Sequence, residues 1–112
     1  MQTVLHVLRA PVGGLFRHVR DLVTAQAGLG AKVGVVVDSN AADRLTQERL
    51  AALEPHLALG LHPIAMQRGV GLADNAAYCT VLEVAERTGA EVLHGHGAKG
   101  GAYARLASAA LR

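Results

Sequence analysis

The sequence predicts an α/β domain: a small, all-parallel sheet of about four strands with helices on both faces, giving three layers. Three observations predict it. Short apolar runs alternate with helical patterns four times along the 112 residues. The second run, 32–37, is almost continuously apolar, which suits a parallel strand covered on both sides. Two strand-to-helix junctions carry glycine, at Gly13-Gly14 and along His94-Gly-His-Gly-Ala-Lys-Gly-Gly101.

The first strand is Thr3–Leu8. A helix follows over about 14–27, with Leu15, Phe16, Val19, Leu22 and Val23 at helical spacing. Gly28 and Gly30 end it as left-handed caps do. After the strand at 32–37, a second helix spans about 41–53, capped by Ser39 or Asn40 and closed before Pro55. A third strand lies within 57–66, made irregular by Gly60 and Pro63. The third helix runs from near Asp74 to Thr88, with Tyr78, Val81, Leu82 and Ala85 as its apolar stripe and Gly89 as its stop. The fourth strand is 91–94. The fourth helix starts near Lys99 and carries Tyr103, Leu106, Ala107, Ala110 and Leu111. Right-handed crossovers force such β-α repeats into one parallel sheet. Its first strand is expected inside, flanked by the second and fourth, with the third beyond the second.

Composition narrows the function. One domain is all that 112 residues allow, and 51% apolar content is ample for a core. Aromatics make up only 3%, so that core must be Val, Leu and Ala. A net charge of +2, scattered basic residues and few stacking rings argue against nucleic acid. The lone Cys79 excludes an internal disulfide and a cysteine-based zinc site. No apolar run nears the ~20 residues of a membrane span, and no signal peptide is expected.

Each candidate residue has a functional and a plain reading. Gly13 and Gly14 stand at the carboxyl end of the first strand, where ligands of open α/β sheets lie. Their plain alternative is a turn made for close packing. The run Gly-Gly-Leu-Phe-Arg-His lacks the last two glycines of the dinucleotide fingerprint, although Asp38 stands where a ribose-binding acid would. A nicotinamide cofactor is therefore not expected. His94 and His96 share one face of an extended chain. They line a cleft, or they bond structurally to backbone carbonyls. A metal would need a third ligand, and no spacing in the sequence offers one. Lys99, against the helix dipole at a helix start, hints at ligand contact, with solvation as the alternative. His6 reads as a buried, hydrogen-bonded histidine. Arg17, His18 and Arg20 read as a solvated helix face that an anionic ligand or a membrane surface could meet. Cys79 reads as a core thiol.

Two segments go further. Val4-Leu-His-Val-Leu-Arg-Ala-Pro-Val-Gly-Gly-Leu-Phe-Arg-His-Val19 resembles the opening of retaining glycosyltransferases of the family 4 type, which have the GT-B fold. Glu91-Val-Leu-His-Gly-His-Gly-Ala-Lys-Gly-Gly-Ala-Tyr-Ala-Arg-Leu106 resembles their fourth strand and the helix after it. Val33-Gly-Val-Val-Val-Asp-Ser39 fits their second strand. The resemblance covers nearly the whole chain, and its histidine-glycine run is the most specific part.

The resemblance implies a partial, Rossmann-like N-terminal domain that holds the acceptor. A C-terminal domain, absent here, would bind the nucleotide-sugar donor and carry a paired-glutamate motif. Gly13-Gly14 would approach the donor diphosphate or the acceptor, and His94, His96 and Lys99 would line the same cleft. The whole enzyme would move a sugar to a carbohydrate or lipid-linked acceptor without a cofactor or metal, while these residues alone would be inactive. A cytoplasmic location, peripheral to the inner membrane face, accompanies that reading. An early stop would leave the fourth strand and fourth helix short of partners, and a homodimer through them is expected. The alternatives are a non-catalytic Rossmann-like or flavodoxin-like binding module and a nucleotide-sugar 2-epimerase domain.

Overall fold

A computed structural model describes residues 2–9, 13–38, 44–65 and 73–111; for 13, 73–75 and 97–100 it describes the backbone alone. The elements are β1 (Thr3–Leu8), α1 (Gly13–Gly28), β2 (Lys32–Asp38), α2 (Arg44–Leu53), a 3-10 turn (Glu54–His56), β3 (Gly60–Ile64), α3 (Ala73–Thr88), β4 (Val92–His96) and α4 (Gly97–Leu111). All strand pairs are parallel and the sheet order is β3-β2-β1-β4. This is the Rossmann-like, three-layer arrangement expected from the β-α repeats, with β1 inside.

Helices α1 and α2 cover one face. Phe16, Val19, Val23, Leu50 and Leu53 close there over Leu8, Val33, Val35 and Val37. Helices α3 and α4 cover the other, where Ala77, Val81, Val84, Tyr103, Ala104 and Ala107 meet Leu5, Val7 and Val36. Strand residues alternate between the layers because successive side chains point to opposite faces. β1 is buried on both sides, and its inner position follows from that.

Two helix ends turn by the same device. Gly30 has φ +92° and Gly89 φ +67°. Around Gly30, Ala31 N–H donates to Gln26 O and Gly30 N–H to Ala27 O. Around Gly89, Ala90 N–H donates to Ala85 O and Gly89 N–H to Glu86 O. Both are Schellman caps, which need the left-handed region that glycine enters freely. Thr3 then ties the second turn to the sheet. Its hydroxyl donates to Gly89 O at 3.0 Å and accepts from Glu91 N–H at 2.9 Å.

Several elements differ from the sequence reading. β4 continues to His96 rather than ending at 94, because it stays paired with β1 as far as Leu8. Gly28 belongs to α1, leaving Gly30 alone as its left-handed cap. Cys79 is exposed, not a core thiol: the buried face of α3 is Ala77, Val81, Val84 and Ala85, and Cys79 lies off it. On α4, Tyr103, Ala104 and Ala107 are buried while Leu106 and Leu111 are exposed. Pro63 sits within β3, where its missing N–H is tolerated on an edge strand. The capping residues Ser39 and Asn40, and the first turn expected for α2 at 41–43, lie outside the described residues. No helix among the described residues is long and apolar enough to cross a membrane.

Candidate functional site

The chain reverses direction across the sheet between β1 and β4. From β1 it steps outward through α1, β2, α2 and β3 along one face, then returns through α3 to the far side of β1. The helix after β1 therefore leaves toward one face and the helix after β4 toward the other. A crevice at the carboxyl ends of two such strands is where ligands of open α/β sheets bind.

Histidines line this switch point. His6 is level with His94, and Leu8 with His96, in the parallel β1–β4 register. Leu93 packs on the α3–α4 side. Period-two alternation then puts His94 and His96, with His6, on the α1 side. The His94 and His96 rings stack with centroids 4.2 Å apart and planes 19° apart. His6 lies 5.2 Å from His94 and 5.1 Å from His96, centroid to centroid. His18, from the second turn of α1, stands edge-on to His96 at 5.9 Å. The start of α1 thus reaches the carboxyl end of β4.

A hydrogen-bond relay orders the buried rings. His6 Nε2–H donates to Gln26 Oε1 at 2.7 Å. That leaves His6 Nδ1 bare, and it accepts from His96 Nε2–H at 2.9 Å. Gln26 is the last-turn residue of α1 whose carbonyl also closes the Schellman cap. One helix end therefore fixes both the turn and the tautomer of His6. Among the described residues no buried side-chain polar atom lacks a partner.

Burial sets the charge state. His6 is fully buried and His96 is 6% exposed. Desolvation is the main cause that lowers the His6 pKa; the Gln26 hydrogen bond works against it, and the nearby His94 and His18 add to it. Desolvation, reinforced by His94, His6 and His18, lowers His96 to about 4. Both rings are neutral near pH 7, able to donate and accept hydrogen bonds and to ligate metal.

Gly13 is the first residue of α1. Gly14 is exposed, and a Cβ built on it meets nothing within 4 Å, so close packing does not require glycine there. His94 is half-buried, and His96 is held inside the cluster rather than lining an open cleft. Lys99 falls in the first turn of α4, and its side chain lies outside the described residues. Arg17, His18 and Arg20 are exposed, as a solvated helix face requires, with Arg20 paired to Asp21. Asp38, at the end of β2, is buried.

The third partner of the His94–His96 pair is His6. One nitrogen from each of the three lies within 4.8 Å of the others. Spacing along the chain could not reveal it, because the partner sits 90 residues away. Strand order combined with face parity could have. His6 is buried and hydrogen-bonded as expected, and for His96 a side-chain partner stands where the structural alternative had a backbone carbonyl.

No family model, curated protein or solved structure matches this chain.

Proposed function

We propose that the chain is the N-terminal, acceptor-side domain of a cytoplasmic glycosyltransferase of the family 4 type. With a second domain for the nucleotide-sugar, it would move a sugar to a carbohydrate or lipid-linked acceptor. One observation carries this reading. The two segments that resemble the family meet at one place: His6 and the α1 start from the first, His94 and His96 from the second, all at the β1–β4 switch point.

The chemistry suits a polar, partly anionic ligand. The first N–H groups of a helix have no partner within it and favour negative oxygen. In α1 those groups belong to the turn opened by Gly13 and Gly14, and Gly14 leaves room for a ligand to approach. A leaving diphosphate would gain charge there during transfer, and fixed amide dipoles would stabilise it. The half-buried His94 ring supplies directional hydrogen bonds to hydroxyl groups, with His96 stacked behind it inside the cluster.

Amide chemical shifts test the reading. Acceptor oligosaccharides are expected to move the Gly14, Gly95 and His96 signals, whereas nucleotide-sugars are expected to bind weakly or not at all. Sugar transfer by these 112 residues alone is expected to be undetectable. Low-micromolar binding of a nucleotide-sugar, or oligosaccharide shifts confined to residues away from the switch point, would count against it.

A further inference from the structure

We propose that His6, His94 and His96 form a binding site for one divalent transition metal ion of the zinc type. The proposal goes beyond the transferase reading and does not rest on it. Three imidazole nitrogens already converge within 4.8 Å. In a tetrahedral zinc site, with Zn–N bonds of 2.0–2.1 Å, ligand nitrogens lie ~3.3 Å apart. The His6 Nδ1 and His96 Nε2 atoms, at 2.9 Å, need only part by a few tenths of an ångström. The His94 ring, stacked on His96, swings in from the half-buried edge of the sheet.

The hydrogen bond behind His6 supports the site. A metal-ligating histidine usually donates its other ring N–H to an oxygen, which fixes the tautomer. His6 does so: Nε2–H is spent on Gln26 Oε1, and the bare Nδ1 faces His96. Metal entry then requires one proton to move. His96 carries its proton on Nε2 in the relay, and on binding it shifts to Nδ1, freeing Nε2 as a ligand. The ring stays neutral and the proton count is unchanged. Three protein nitrogens leave a fourth position for water or a ligand oxygen.

Donor type defines the ion. An all-imidazole set suits zinc, nickel, cobalt and copper, and offers none of the oxygen atoms that magnesium and calcium need. His94 is half-buried, so it supplies an entry side to a cluster whose other members are closed off.

Calorimetry of the tag-free, chelator-stripped chain with zinc chloride is the test. One ion per chain with a Kd below about 10 μM is expected, with no heat from magnesium chloride. His94→Ala is the first variant, since that ring is only half-buried and circular dichroism can verify its fold. It is expected to weaken zinc at least tenfold, and Gln26→Leu by about tenfold through loss of the hydrogen bond that holds His6 Nε2–H. A wild-type Kd above about 100 μM overturns the proposal whatever the variants do. So does a folded His94→Ala chain that binds zinc as tightly as its parent, which would place the ion on other histidines. Neither result touches the transferase reading, whose readout is oligosaccharide binding.

Discussion

His96 donates its Nε2–H to His6 Nδ1 across 2.9 Å, joining residues 90 positions apart and bridging β4 to the interior strand β1. The bond ends a relay that begins at Gln26, so one side chain of α1 governs two buried rings.

Removing Gln26 should expose that dependence. Gln26→Leu leaves His6 Nε2–H without an acceptor beneath α1. An unsatisfied buried donor costs about 1–3 kcal/mol. Urea unfolding of the metal-free chain should show a lower midpoint with an unchanged slope. A stability equal to the parent would mean that another acceptor or water replaces the amide.

Acid should destabilise the metal-free chain. His6 and His96 have folded pKa values below the ordinary 6.5, His96 at about 4. Between those limits the unfolded chain binds protons that the folded chain refuses. Stability is therefore complete above 6.5 and falls as the pH drops toward 4. The thermal midpoint should fall by several degrees between about pH 7 and about pH 5. His96→Asn should flatten that slope.

Two glycines should respond in opposite ways to alanine. A Cβ on Gly34 would come within 2.9 Å of Leu59 Cβ and 3.0 Å of Leu5 Cδ1. Overpacking of this kind costs about 1–3 kcal/mol, so Gly34→Ala should lower the denaturation midpoint. Gly14→Ala meets open space in the first turn of α1 and should be neutral or stabilising by up to about 1 kcal/mol. Under the transferase reading, Gly14→Ala should also weaken oligosaccharide binding.

Self-association is expected through the β4 edge. β4 pairs only with β1 among the described strands. A groove of about 530 Å³ runs between β4 and α4, bordered by Leu93, Gly95, Ala104 and Arg105, on the face opposite the histidines. Val92 on β4 and Leu106 and Leu111 on α4 are exposed. An open strand edge beside apolar side chains favours pairing with a second copy. Light scattering should show mass rising with concentration, and Val92→Lys with Leu106→Glu should hold the chain monomeric. A constant monomer mass in the parent would exclude the idea.

Element types and their order were legible from local pattern. Helical spacing in α1 and the apolar runs of β1 and β2 depend on neighbours in the chain, and glycine at 30 and 89 marks helix ends through its own backbone freedom. Rotation of a helix about its axis was less legible. Tyr78 and Leu82 look as apolar as Val84, yet the buried face of α3 centres on Ala77, Val81 and Val84, because it must fit the sheet beneath it. For the same reason Cys79 turned outward.

By itself the sequence determined a β-α alternating chain, a parallel sheet with β1 inside, and polar residues at two glycine-bearing junctions. Period, caps and crossover handedness are local or topological constraints, and each is written in nearby residues. Only the tertiary structure decided that His6 meets His94 and His96, that Gln26 holds them, and that His96 is buried. Those facts depend on strand register and on which face α1 covers. Register is set by the packing of whole layers, so no short stretch of the chain encodes it.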